Sequence, residues 1–136
     1  MTWLGVDKRA PRRGFTLIEL LIVVVIIGVL AALAVPKFVN TKERAIVTNM
    51  KSDLRNMVTA QEGYFSSNLT YYNGPVPNAA LTFVPSPGVS VVLSAVTGSG
   101  WAATATHGMT PRDCYVFYGN GGPIGPATVE GIVECT

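Results

Sequence analysis

The sequence FTLIELLIVVVIIGVLAALAV occupies residues 15–35 and sets the organisation of the whole chain. A helix of 21 residues rises about 31 Å, which matches the thickness of the hydrocarbon core of a bilayer. An apolar run of this length predicts a membrane-spanning helix rather than a helix of a soluble core. The run carries a single charge, Glu19, close to its start.

A carboxylate inside a spanning helix costs about 2.5–3.5 kcal/mol, so Glu19 requires an explanation. One interpretation places Glu19 near the interface, where it snorkels or is protonated. The other gives it a cationic partner from outside its own helix. Such a partner is the basic cluster before the helix or, if the chain is cut after Gly14, the new α-amino group of Phe15. Because that amine is hard to reach within one chain, the partner is expected to be the amine of a neighbouring copy staggered along the axis.

Positive charge precedes the apolar run. Residues 1–14 contain four Lys and Arg against one acid, Asp7. This bias keeps the amino-terminal end cytoplasmic and places the rest of the chain across the membrane. A secretory signal peptide has a similar plan, but its apolar region is shorter and is followed by the cleavage site. We therefore expect the helix to be retained.

The residues RRGFTLIEL at positions 12–20 resemble the processing site of type IV prepilins and related pseudopilins. The resemblance covers Arg12 to about Phe65, and the remainder only in general organisation. It implies that a prepilin peptidase cuts after Gly14 and methylates Phe15. It also implies a precursor held in the inner membrane of a bacterium, which the pilus assembly machinery converts into an extracellular homopolymer. In that family, the segment corresponding to Gly28 to Pro36 loosens within the filament.

Beyond the apolar run, the pattern becomes amphipathic from Lys37 to about Phe65. Pro36 removes one helical hydrogen bond, so a kink is expected there. The apolar positions recur mostly at three- and four-residue intervals: Val39, Ile46, Met50, Leu54, Met57, Val58 and Phe65. The polar positions between them are expected at the surface: Lys42, Glu43, Arg44, Asn49, Asp53 and Asn56. The pattern predicts one continuous helix with one face covered by a head. Tyr64, Phe65, Tyr71 and Tyr72 are expected to pack together at the helix exit.

The remaining sequence predicts short antiparallel strands separated by Gly- and Pro-rich turns. The predicted strands are 81–84, 89–96, 101–107, 114–118 and 128–135. The fold class is therefore α+β, with one long amino-terminal helix packed against a small antiparallel sheet, the type IV pilin fold. The expected divisions are a cleaved leader (1–14), a transmembrane and polymerisation half of the helix (15–36), its amphipathic half (37–66) and a β-sheet head (67–136).

Cys114 and Cys135 are the only cysteines, and both lie in the part expected outside the cytoplasm. Such a compartment favours a disulfide between them. A metal site is not expected, since two cysteines and one histidine cannot supply four ligands.

The predicted head contains few residues that could catalyse a reaction. Its histidine, His107, lies beside a loop glycine, and its acids are Asp113, Glu130 and Glu134. No phosphate-binding loop or nucleic-acid patch is evident, so neither an enzyme, a cofactor nor a nucleic-acid partner is expected.

The sequence therefore predicts a structural subunit of a type IV pilus, polymerised through its amino-terminal helix. The alternative within the family is a pseudopilin of a type II secretion system, or a minor pilin. By resemblance, the late cysteine pair and the absence of an Asp-rich calcium loop favour a pilin. A rival of another class is a monomeric anchored domain that binds or catalyses, which explains neither Glu19 nor the continuous helix.

Overall fold

The computed structural model of the protein describes residues 14–136, so the predicted leader lies outside the described residues except for Gly14. The chain forms two compact units, Met1–Phe38, described from residue 14 onward, and Val39–Thr136. One long helix is followed by a short 3₁₀ turn and four strands. The predicted α+β class is confirmed.

Helix α1 spans Leu17–Asn68 and contains 52 residues. Its bounds agree with the predicted helix to within a few residues. Pro36 lies inside α1, so the chain is helical on both sides of it. The kink at Pro36 and the loosening from Gly28 to Pro36 stay predictions.

In the second unit, α1 buries one face against the sheet. The residues of α1 that are buried are Ile46, Met50, Asp53, Leu54, Met57 and Gln61. Four of the predicted apolar positions are therefore confirmed, and their spacing of three or four residues keeps them on one side of the helix. Val58 and Phe65 are only half-buried. The prediction for Val39 was wrong, because it lies before the first covered turn and is 59% exposed.

The sheet is an antiparallel meander in the order β1-β2-β3-β4. Its strands are β1 (Val89–Thr97), β2 (Gly100–His107), β3 (Cys114–Gly119) and β4 (Glu134–Cys135). Trp101 lies opposite Tyr118, and Ala103 lies opposite Val116. Because side chains alternate across a strand, these four share one face, and Trp101, Ala103 and Val116 belong to the same core as Met50 and Leu54.

The prediction of a strand at 81–84 was wrong. Residues Ala79–Leu81 form a 3₁₀ turn instead. The Asn78 side chain accepts a hydrogen bond from the Ala80 amide at 2.9 Å, which caps the turn. Thr82 then adopts a left-handed backbone conformation, φ 48°, so an extended strand cannot continue through it.

The closing strand predicted at 128–135 is reduced to the two residues of β4. Glu130 turns toward β3, where its Oε1 accepts a hydrogen bond from the Gly119 amide at 2.7 Å. Gly131 has φ 76°, and its amide donates to the Phe117 carbonyl. This turn keeps residues 128–133 from pairing as a strand.

Cys114 and Cys135 form the predicted disulfide. They lie directly opposite each other in the β3–β4 pair. The bond therefore fastens the last strand and the preceding loop to the sheet, and the prediction is confirmed.

Two polar side chains of α1 tie the loop before β1 to the helix. Asp53 was predicted at the surface but is buried, and its two carboxylate oxygens accept hydrogen bonds from the Ser86 amide at 2.8 Å and the Ser86 hydroxyl at 2.9 Å. Gln61 donates to the Tyr72 carbonyl at 3.0 Å and accepts from the Tyr72 amide at 2.9 Å. Buried polar groups are stable only when they are paired in this way.

The loop after β3 packs on the backbone of β2 so closely that it requires glycine at residue 121. A Cβ added to Gly121 would collide with the Trp101 carbonyl. We expect Gly121→Ala to destabilise the head by about 1–3 kcal/mol, because backbone atoms have to move to make room. Thermal unfolding of the wild-type and Gly121→Ala proteins measures this difference in stability.

Gly98→Ala is the matched control, because nothing lies within 4 Å of the position of its added Cβ. It should leave the free energy of unfolding within about 0.5 kcal/mol of the wild-type value. Equal stability of the Gly121 and Gly98 variants would contradict the close packing of this loop.

Candidate functional site

The start of α1 presents a long apolar surface that the described chain leaves uncovered. Every described residue from 14 to 42 is exposed, including Phe15 and Leu17 at 83%. By length and composition alone, α1 is the one helix among the described residues that is long and apolar enough to cross a membrane. An apolar surface of this extent requires either lipid or other protein around it.

Glu19 is held at the helix start by Thr16. Its Oε2 atom accepts hydrogen bonds from the Thr16 amide and the Thr16 hydroxyl, each at 2.8 Å. In return, the Glu19 amide donates to the Thr16 hydroxyl oxygen at 3.3 Å. This reciprocal arrangement is a capping box, in which a hydroxyl residue and an acid three positions later satisfy the free amides of the first turn.

The cap was not predicted from the sequence, although the residue spacing that indicates it is present. A Thr-x-x-Glu spacing directly before an apolar run is the usual signature of a capping box. Both donors from Thr16 reach the same oxygen, so Oε1 of Glu19 accepts nothing from the described residues. The carboxylate can therefore receive a further donor at Oε1 without giving up its cap.

The other predicted site residues divide between the two units. Gly14 and Phe15 directly precede α1, whereas Gly28 and Pro36 lie inside it. Among the described residues, nothing lies within 4 Å of a Cβ added to Gly14 or to Gly28. The Cys114–Cys135 disulfide belongs to the second unit.

In the second unit, the aromatic residues at the helix exit pack against one another, as predicted, and one of them also approaches β2. Ring centroids lie 5.5 Å apart for Tyr64 and Tyr72 and 4.7 Å apart for Phe65 and Tyr71. Tyr71 also approaches Trp101, at 6.5 Å. These contacts give the aromatic group a packing role.

The described part of the head holds no group of three or more His, Cys, Asp or Glu residues that could bind a metal ion. His107 lies at the end of β2, where its Nδ1 accepts a hydrogen bond from the Met109 amide at 3.1 Å. The His107 side chain therefore stabilises a local turn. The feature that calls for a functional explanation is the uncovered helix start with its capped acid.

Comparison with known proteins points to the same segment. A family model described as the prokaryotic N-terminal methylation motif matches residues 9–35. The type IV major pilin protein PilA of Myxococcus xanthus is 48% identical over 67 residues, covering 48% of this chain and 30% of that protein. The type II secretion system core protein G of Pseudomonas aeruginosa is 42% identical over 64 residues, covering 47% of this chain and 45% of that protein.

The type IV major fimbrial protein FimA of Dichelobacter nodosus is 51% identical over 54 residues, covering 40% of this chain and 35% of that protein. The chain thus matches less than half the length of each of these three relatives. The long helix packed on a small four-stranded sheet is consistent with the type IV pilin fold. The methylation motif, the relatives and the fold together support the superfamily of type IV pilins and type II secretion pseudopilins for this chain.

Proposed function

We propose that the chain is a structural subunit of a type IV pilus, cut after Gly14 by a prepilin peptidase and polymerised through α1. The observation that carries the proposal is the match of residues 9–35 to the methylation motif, a segment that includes the apolar helix surface left uncovered by the described residues. The relatives are named as pilus, fimbrial and secretion-system proteins, which supports a structural rather than an enzymatic role.

Before assembly, residues 15–36 lie in the inner membrane and residues 67–136 form the head on the far side. Assembly moves the apolar helix from lipid into a bundle of identical helices, where its surface stays shielded from water. Lipid tails are as apolar as leucine, so apolar packing alone sets the register of such a bundle poorly. A specific polar contact is therefore needed.

Glu19 supplies that contact. Cleavage after Gly14 creates an α-amino group on Phe15, which the peptidase then methylates. In the filament, this amine on one copy pairs with Oε1 of Glu19 on its neighbour, while Thr16 continues to hold Oε2. Cleavage thus removes the cationic leader from the bundle and creates the cation that fixes the register.

A cross-linking experiment tests polymerisation through α1. Ile22 is 51% exposed on the helix, so Ile22→Cys presents a thiol on the proposed interface. Bifunctional thiol cross-linking of whole cells is expected to give a covalent dimer on a denaturing gel, because each copy offers one free thiol and the native cysteines are paired. The same cysteine in a Gly14→Leu chain, which is not expected to assemble, is the control. A single monomer band from both chains would favour an anchored monomeric domain instead.

The second candidate is a pseudopilin of a type II secretion system, and the match to core protein G favours it. Deletion of the gene distinguishes the two. If the chain is a pilus subunit, deletion of its gene should leave cells without surface fibres but with normal protein secretion. Loss of secreted enzymes, with fibres unchanged, would assign the chain to the secretion system.

A further inference from the structure

The sequence contains two Asn-Gly pairs, Asn73-Gly74 and Asn120-Gly121, and the fold holds them differently. An asparagine followed by glycine can lose its side-chain amide without an enzyme. The backbone nitrogen of the glycine attacks the side-chain carbonyl carbon, and the approach is open because glycine has no Cβ. Both pairs lie outside the helix and the strands, so regular secondary structure protects neither of them.

The Asn120-Gly121 pair follows β3 and is fixed in a turn by hydrogen bonds on both reacting groups. The Asn120 side-chain nitrogen, Nδ2, donates to the Ser99 hydroxyl at 2.8 Å. The Gly121 backbone nitrogen donates to the Tyr118 carbonyl at 3.0 Å. Attack at this pair therefore requires the turn to open locally, which costs part of the stability of the fold.

The Asn73-Gly74 pair lacks both restraints. Asn73 is exposed, and among the described residues neither its side chain nor the Gly74 nitrogen makes a hydrogen bond. The residue before the pair is anchored instead, because the Gln61 side chain bonds both the amide and the carbonyl of Tyr72. The fold thus presents this pair to solvent with its two reacting groups unpaired.

Packing requires glycine at residue 74. The Tyr72 hydroxyl donates to the Pro75 carbonyl at 3.2 Å, which folds the Tyr72 ring back over Gly74. A Cβ added to Gly74 would collide with that hydroxyl. The ring is itself held, since its centroid lies 5.5 Å from that of Tyr64. The contact that shapes this loop therefore also favours the residue that makes Asn73 reactive.

We propose that Asn73 is a site of spontaneous modification, which converts it to aspartate and isoaspartate, while Asn120 stays an asparagine. The Gly74 nitrogen gives up its proton and bonds to Cγ of Asn73, and the side-chain nitrogen leaves as ammonia. Water then opens the resulting succinimide ring at either carbonyl. One opening restores the ordinary backbone and the other routes it through the side chain, and both leave a carboxylate at residue 73.

The modification introduces charge where the chain has none. Residues 63–111 contain no Asp, Glu, Lys or Arg. A carboxylate at the exposed residue 73 therefore gives this stretch its first charge, and the modified fraction grows with the age of each copy. The reaction concerns the folded head and does not depend on the polymerisation proposed above.

Incubation of the purified full chain in mildly alkaline buffer tests the proposal. Peptide mapping by mass spectrometry measures the converted fraction of each asparagine, and labelling by a protein isoaspartate methyltransferase detects the isoaspartate product. We expect Asn73 to convert at least about tenfold faster than Asn120, because two hydrogen bonds have to break at the second pair. In denaturant, where the fold restrains neither pair, the two rates should become similar.

Two variants serve as matched controls. Asn73→Gln keeps a side-chain amide but adds a methylene, so ring closure becomes much slower and the isoaspartate label should disappear. Ser99→Ala removes the acceptor of Asn120 Nδ2 at an exposed position, so it should speed conversion of Asn120 and leave that of Asn73 unchanged.

Three results would overturn the proposal. They are equal conversion of the two asparagines in the folded chain, an unchanged Asn73 after a period in which the denatured chain converts, and an isoaspartate label that persists in Asn73→Gln. Each of them would leave the proposed pilus function intact, because none involves assembly.

Discussion

Replacing Glu19 with alanine is expected to abolish filaments while leaving the chain in the membrane. The alanine chain keeps its apolar helix, so insertion does not suffer. In the bundle, however, the Phe15 amine of each neighbour loses its partner, and an uncompensated buried charge costs about 3–5 kcal/mol. The measurement is the amount of the chain in sheared surface fibres compared with the amount in the membrane fraction.

Two further variants separate the two roles of Glu19. Glu19→Gln keeps an oxygen that accepts from the Thr16 amide and hydroxyl, but it removes the negative charge. Thr16→Val keeps the charge and removes the hydroxyl of the cap, which costs about 0.5–2 kcal/mol at a helix start. If pairing with an amine drives assembly, Glu19→Gln should lose filaments as Glu19→Ala does, and Thr16→Val should retain most of them.

The opposite pattern would contradict the pairing. Wild-type filament amounts from Glu19→Gln would show that Glu19 acts only as a helix cap. Wild-type amounts from Glu19→Ala would show that the bundle has no need of the acid.

Gly14→Leu is expected to block leader removal almost completely. Nothing lies within 4 Å of a Cβ added at Gly14, so leucine disturbs none of the described structure. A loss of cleavage in this variant therefore reports on recognition by the peptidase. Mass spectrometry of the membrane-bound chain should find the mass of residues 1–14 retained, and no filaments should form.

Gly28→Leu provides the control for this experiment. It changes another glycine that has nothing within 4 Å of its added Cβ, but it lies inside the helix, away from the processing site. Its leader should be removed as in the wild type. Normal processing of Gly14→Leu would eliminate the reason for placing the cut after residue 14.

Periodicity and composition were sufficient to predict the long helix, four of its core positions, three strands and the disulfide. Each of these depends on local pattern: apolar residues such as Met50 and Met57 recur at helical spacing, and β-branched residues cluster in β1. The buried Asp53 followed no such pattern. It is buried because Ser86, 33 residues away, supplies two donors for its carboxylate, and a pairing of this kind emerges only once the chain is folded.

The sequence predicted the acid of the candidate site but not the cap that holds it. Glu19 was predicted as a site residue because a charge in an apolar helix has a high free-energy cost. That cost pointed to a cationic partner on another copy. The nearer partner, Thr16, went unrecognised although it lies only three residues before Glu19. The structure adds that the cap occupies one carboxylate oxygen, while the other accepts no hydrogen bond from residues 14–136.

The most direct test of the account is the intact mass of the subunit recovered from purified surface fibres. We expect fibres made mainly of this chain, each copy beginning at Phe15, carrying one added methyl group and retaining the Cys114–Cys135 disulfide. A fibre-derived chain that begins at any other residue, or a chain absent from surface fibres of cells that express it, would contradict the account.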